Sequence, residues 1–226
     1  MSTTGAVRLS VIVVLAVMVG AAIAAPVTPP SPVSAWLLDE GAGTTTFERS
    51  GIKTGTLYQN ATFSTDTPFA YAGNHSLDLT GTSGDRAVIA GSPSGTAGTF
   101  QLWVKPNDTG APQYLIDGTN GQRTLIYRTS ATNYQLYLNQ SNIGGFPASH
   151  TPTGDWTHLA VVWDTSLATE KEKVYVDGVQ TNAYNVSVGA RNPAQVWLGN
   201  RFSNNEPLNG KIDEYAIWST PLSSDE

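Results

Sequence analysis

From Ala35 to Trp218 the chain runs in short stretches of alternating or continuous apolar residues, separated by turn formers. Clear stretches are Thr99–Lys105, Tyr134–Leu138, His158–Trp163, Lys173–Asp177, Gln195–Leu198 and Ile212–Trp218. A period of two sends successive side chains to opposite faces of a strand. In Thr99–Lys105, Phe100, Leu102 and Val104 therefore share one face, and Gln101, Trp103 and Lys105 the other. Strands recurring at intervals of roughly ten residues point to an all-β sandwich or jelly roll. Asp177-Gly178, set between two such stretches, predicts a tight hairpin, because a primed turn needs positive φ at both central residues. Asp117-Gly118 and Gly154-Asp155 read as further turns, and a helical turn capped by Ser223 or Ser224 is expected near Thr220–Glu226. No stretch holds a sustained 3.6-residue apolar period.

The first 34 residues follow another pattern. A polar start with a single cation, Arg8, precedes an almost wholly apolar run from Val11 to Ala25. This run is short for a membrane span, which takes about 20 residues. It suits a secretory signal, and Ala22-Ile23-Ala24 offers a small-x-small cleavage site. An uncleaved anchor over residues 9–25 and a pilin-type assembly helix are the alternatives. Residues 26–34, with four prolines, read as a stiff extended spacer. The expected division is residues 1–25 as signal or anchor, 26–34 as linker and 35–226 as one β domain, secreted or at the cell surface.

Composition narrows the partners. The net charge is −6 and only 13% of residues are charged, with no basic run, which argues against nucleic acid. There are no cysteines, so nothing is stapled by disulfides. A chain of 226 residues is long enough to bury roughly 70% of its unfolded surface without them. Asn60, Asn74, Asn107, Asn139 and Asn185 stand in Asn-x-Ser/Thr sequons, each a candidate glycan acceptor in a secreted chain.

Seven short patterns, in order, give the chain a resemblance to the laminin-G-like jelly rolls of the concanavalin A-like lectin/glucanase superfamily. They are Ala35–Thr44, Ser76–Gly81, Thr99–Pro106, Trp156–Trp163, Lys173–Gly178, Val196–Asn200 and Asn209–Trp218. The resemblance implies two antiparallel sheets packed face to face. It also implies ligands among carbohydrate, calcium and proteins, by analogy only.

Three chemistries were weighed against the residues. Glucanases of this superfamily set paired carboxylates at alternate strand positions, about 5 Å apart for a retaining mechanism. The nearest stretch here has Lys211 and Ala216 where the glutamates belong. Glu170 and Glu172 have same-face spacing but read as a solvated hairpin edge, and His75, His150 and His158 stand in no metal or triad pattern. The chain therefore reads as no enzyme.

Calcium wants several oxygen ligands converging from loops. Asp39, at the end of the first strand, and Asp213, on the last, are the candidates for a structural ion, with Glu40, Asp78 and Asp85 nearby. Thr80, where many relatives carry an aspartate, weakens that set. Sugar sites stack rings on pyranose faces and bond hydroxyls with Asn, Asp or Arg. Tyr127 and Tyr137, with Asn139 following, are the candidates; Tyr134, Arg123, Arg128 and the Gly144-Gly145-Phe146 loop lie close in sequence. Packed amphipathic residues are the plain alternative for each tyrosine, and Trp36, Trp163 and Trp218 read as core. The resulting expectation is a non-catalytic surface module binding carbohydrate. The alternative is a structural or assembly protein of a cell surface, filament or virion, using the jelly roll to bind proteins.

Overall fold

A computed structural model describes residues 28–226 apart from 92, 119–122, 191–192 and 225. The hydrophobic run of residues 9–25, and with it the signal, anchor or assembly helix, lies outside the described residues. Among the described residues no helix is long and apolar enough to cross a membrane.

The described chain forms sixteen strands and one short 3-10 turn at Ala148–His150. In order the strands are β1 (Ser34–Trp36), β2 (Thr45–Phe47), β3 (Thr54–Tyr58), β4 (Thr62–Ser64), β5 (Ser76–Thr80), β6 (Arg86–Ala90), β7 (Ala97–Pro106) and β8 (Gln113–Gly118). They continue as β9 (Leu125–Ser130), β10 (Asn133–Leu138), β11 (Ser141–Pro147), β12 (Thr157–Asp164), β13 (Glu172–Val176), β14 (Val179–Tyr184), β15 (Gln195–Leu198) and β16 (Asn209–Trp218). Two eight-stranded antiparallel sheets result. Sheet A runs β14-β13-β12-β7-β16-β5-β4, with β1 also on β16, and sheet B runs β11-β10-β9-β8-β15-β6-β3-β2. This is the two-sheet jelly roll that the alternation predicts.

The facing of side chains follows the period of two. Phe100, Leu102 and Val104 of β7 are fully buried, and Gln101, Trp103 and Lys105 are half-buried on the other side. Leu77, Leu79, Leu159, Val161 and Ile212 meet Ile89, Ile116, Ile126, Leu136 and Val196 in the main core, and Ala35, Ala216 and Trp218 form a second, smaller cluster. Trp36, Trp163 and Trp218 are all buried, as expected. The Asp177-Gly178 hairpin has φ of 49° and 78° at its two central residues, the primed turn the dipeptide calls for.

Several expectations are corrected. Asp117-Gly118 is no turn: both residues end β8, and Asp117 is fully buried. The far end of the proline-rich segment is not a free spacer. The Pro30 carbonyl accepts from Trp218 Nε1 at 2.7 Å, and the Val33 amide donates to Ile217 at 2.8 Å, so the segment is laid against β16. At the C-terminus no capped helix forms among the described residues: the Ser223 amide and hydroxyl both donate to the Glu226 carboxylate at 2.9 Å, and the Ser223 carbonyl accepts the Glu226 amide at 3.2 Å.

Gly199 shows how closely the sheets meet. Its φ is +82°, and a Cβ there would stand 2.1 Å from Leu79 Cδ1 of the opposite sheet. Strain and overpacking each cost about 1–3 kcal/mol. Gly199→Ala is expected to lower the unfolding free energy by at least about 2 kcal/mol, read from urea denaturation at unchanged m-value.

Candidate functional site

The outer face of sheet B carries a row of rings. On β9, Ile126 faces the core, so Tyr127 faces out; on β10, Leu136 and Leu138 face the core, so Tyr137 faces out. Tyr114 of β8 stands directly opposite Tyr127 in the strand register. The Tyr114 and Tyr127 rings stack with centroids 4.7 Å apart and planes at 18°, and Tyr127 meets Tyr137 at 6.3 Å and 40°. Tyr127 and Tyr137, expected from sequence to share a site, are thus brought together. Tyr134 is not part of it: it is fully buried and stacks on Phe146 in the core.

Polar groups frame the rings. The Arg123 guanidinium lies 6.0 Å from the Tyr114 ring centroid and forms a two-pronged pair with Asp117, Nε donating to Oδ1 at 2.8 Å and a terminal nitrogen to Oδ2 at 2.5 Å. Such forked pairs fix geometry as well as charge, and the Asp117 carboxylate holds the arginine above its ordinary pKa. Arg201 lies 5.8 Å from the same ring and bonds Glu206 at 2.9 Å. Burial pushes the Tyr114 phenol up to about 12, so it stays a hydrogen-bonding hydroxyl at neutral pH. Gln140 completes the lining.

Asn139 goes elsewhere. Asn139 and Gln140, with φ of 47° and 64°, form the two-residue turn between β10 and β11, and the Asn139 amide donates to the Ala190 carbonyl. It is Gln140, whose amide donates to the Arg123 carbonyl, that lines the tyrosine row. Arg128 is buried as well, donating to the Asp108 carbonyl. Tyr114, Arg201 and Gln140 were not singled out in the sequence. An outward position on a strand beside β9 marks Tyr114 once the strand order is known, whereas Arg201 arrives from a loop.

The expected metal residues lie at the other end of the fold. Asp39 accepts from the His75 amide at 2.9 Å, and the Tyr71 hydroxyl reaches both Asp39 at 3.3 Å and Glu214 at 3.4 Å. Asp213 is fully buried; its Oδ1 accepts from the Glu214 amide, and its Oδ2 has no hydrogen-bond partner. Burial, with the charges of Glu214 and Asp39 beside it, pushes the Asp213 carboxyl up to about 8. Among the described residues no three of His, Cys, Asp and Glu gather closely enough to hold a metal ion, and the Tyr71 hydroxyl bridges Asp39 and Glu214. Glu40 is engaged by Thr46 and the Phe47 amide, Asp78 pairs with Lys211, and Thr80 donates its hydroxyl to the buried Asp85.

The residues weighed for catalysis are structural in their contacts. Glu172 is fully buried in β13, accepting from the Val186 amide, while Glu170 is exposed beside Lys173, so the pair shares no solvated edge. His158 bonds Gln101 and packs on Trp103, and burial lowers its pKa. His75 bonds the Gly73 carbonyl, and His150 ends the short 3-10 turn. Of the sequons, Asn60, Asn107 and Asn185 are exposed and Asn139 is half-buried; Asn74 departs from a surface acceptor, being buried with its amide bonded to the Phe69 carbonyl.

The family model of the laminin G type in the concanavalin A-like lectin/glucanases superfamily matches residues 80–226, close to two thirds of the chain. The chain belongs to that superfamily. The match begins at Thr80, so the patterns at Ala35–Thr44 and Ser76–Gly81 lie outside all but its first residues. No curated protein sequence matches the chain. Among solved structures it is similar to domain 4 of AbnA, an extracellular GH43 arabinanase from Geobacillus stearothermophilus, in complex with arabinotriose. There the TM-score is 0.63 at 19% identity, over 85% of this chain and 94% of that one. It is similar to the receptor binding domain of botulinum neurotoxin D, with TM-score 0.65 and 14% identity over 86% of this chain and 50% of that one. It is also similar to Trypanosoma rangeli sialidase in complex with sialic acid, with TM-score 0.63 and 13% identity over 88% and 34%. The chain spans half of the toxin domain and a third of the sialidase; at these identities what is shared is the fold.

The Asp213 carboxyl makes a signed prediction. Between its unfolded pKa, 3.8, and its folded value of about 8, only the folded state holds the proton, so its contribution to stability falls as pH rises through that window. In excess chelator, the melting temperature of Asp213→Asn minus that of wild type is expected to grow more positive from pH 4 to pH 8. A calcium-induced rise in wild-type melting temperature that Asp213→Asn abolishes would place a cation there instead.

Proposed function

We propose that the domain is a non-catalytic carbohydrate-binding module working outside the cell, with the Tyr127–Tyr137 row as its sugar site. The observation that carries this reading is three tyrosines from adjacent strands, 4.7 and 6.3 Å apart, framed by Arg123, Arg201 and Gln140. Tyr114 is buried and backs Tyr127 by stacking on it; the half-buried Tyr127 and Tyr137 rings are left to meet the C–H face of a sugar, and fixed donors beside them reach its hydroxyls. Rigid strands hold the rings in place before any ligand arrives, which limits the ordering cost of binding. The arabinotriose complex of AbnA domain 4, which shares the fold over nearly its whole length, supports the ligand class.

Two observations support a non-catalytic role. The positions a glucanase gives to glutamates are Lys211, paired with Asp66 and Asp78, and Ala216. The acid between them, Asp213, is sealed in the interior, where no glycosidic oxygen can meet it. Secretion through the residue 1–25 segment is part of the same proposal, as sugars of this kind are met on surfaces.

A glycan array probed with the purified domain tests the reading. Wild type is expected to bind at least one glycan family, and Tyr127→Ala or Tyr137→Ala to weaken it by about tenfold or more, with melting temperature little changed. Blank arrays for wild type would sink the proposal.

A further inference from the structure

We infer that the tyrosine site is one end of a longer platform, built for a linear, neutral oligosaccharide lying across the strands of sheet B. This rests on the sugar reading of the tyrosine row and extends it.

Beyond Tyr114 the outer face does not revert to small polar residues. The strand order continues β8-β15-β6-β3, and each of the last three strands contributes a planar group: Trp197, Arg86 and Tyr58. Trp197 stands opposite Asp117 of β8, and Arg86 stands opposite Tyr58. The Arg86 guanidinium is sandwiched, 4.1 Å from the Tyr58 ring centroid and 4.3 Å from that of Trp197. Phe202 packs on Trp197 at 5.0 Å, and its amide donates to Asp117 at 2.9 Å, which pins it beside the Arg123 pair. Arg201, next in the chain, reaches over Tyr114. Ring contacts join Tyr137 to Tyr114, ring and guanidinium stacking join Phe202 to Tyr58, and the two groups are linked through the Arg201–Phe202 segment and its hydrogen bond to Asp117.

The geometry selects the ligand's shape. Six neighbouring strands, β10 to β3, put about 24 Å between the ends of the row at the usual interstrand spacing. A single sugar covers one or two rings; only an extended chain meets them all. Tyr58, 39% exposed, is a large ring left open at the end of the row away from the tyrosines, and Phe202, 42% exposed, is open between the two ends; exposed apolar groups of this kind mark interaction surfaces.

The electrostatics select its charge. Arg123 is tied to Asp117 and Arg201 to Glu206, while Arg86 spends its terminal nitrogen on the Gly84 carbonyl and the Asn204 side chain. The two arginines at the tyrosine end are matched by carboxylates, so the groups offered there bond hydroxyls without attracting an anion.

Titration calorimetry with ladders of cello-, xylo- and arabino-oligosaccharides, from disaccharide to octasaccharide, tests the platform. For the series that binds, affinity is expected to climb with length beyond the trisaccharide. Phe202→Ala and Tyr58→Ala, both at exposed positions, are expected to weaken the longest ligand about three- to tenfold while leaving the trisaccharide unchanged. Equal affinity for trisaccharide and octasaccharide, or an octasaccharide indifferent to both variants, would confine the site to the tyrosines and overturn the platform while the sugar site stands. Binding of uronic-acid ladders in preference to neutral ones would overturn its neutral character. If no ladder binds wild type and a protein ligand does so through Phe202 and Tyr58, both the platform and the sugar reading fail.

Discussion

The pairing of β16 holds the domain together. One side of this strand lies along β7 for almost its whole length; the other is shared, β5 taking Asn209–Ile212 and β1 taking Tyr215–Ile217. Three segments far apart in the chain therefore depend on one strand for their hydrogen bonds. A bulge between Asp213 and Ala216 makes the sharing possible, with Glu214 at a φ of 50°. Bulges bend a strand and re-aim its side chains. Here Asp213 lies buried, which pushes its carboxyl up, and Glu214 is left to meet the Tyr71 hydroxyl.

The ring platform depends on this strand through the core. Ile212, Tyr215 and Ile217 of β16 supply buried surface against which sheet B packs. With the inner residues of β8, β9, β10 and β15 fixed in that core, alternation leaves their outer residues no freedom to change face. A close-packed interior transmits position in this way, because a side chain that slipped by one place would exchange a buried leucine for a tyrosine. The rings of the site are accordingly held in place by the strands that carry them.

The acid cluster and the platform sit on different sheets and obey opposite rules. At the platform each carboxylate has a cation: Asp117 has Arg123 and Glu206 has Arg201. At the cluster burial and the charges of Glu214 and Asp39 push the Asp213 carboxyl up, and the Tyr71 hydroxyl donates toward both Asp39 and Glu214. The first arrangement keeps its form across the neutral range, and the second makes the fold's stability pH-dependent.

The sequence alone determined the fold class, the core and the facing of individual side chains, because alternation, turn dipeptides and apolar content are local properties. Phe100 and Trp103 on opposite faces, the Asp177-Gly178 turn and the choice of Tyr127 and Tyr137 as site candidates were all legible. What only the tertiary structure decided depends on which strands become neighbours. Tyr114, Trp197 and Tyr58 join the row because β8, β15 and β3 lie side by side, though they stand far apart in the chain. Asn139 and Gln140 are adjacent residues, yet the turn sends one to Ala190 and the other to the site, a choice set by backbone dihedrals that composition does not encode. Asp213 was visible as an acid near the end of the chain. That it is buried, with its carboxyl pushed up by burial, follows from a bulge and from the strands packed beside it, features with no signature in any short stretch of residues.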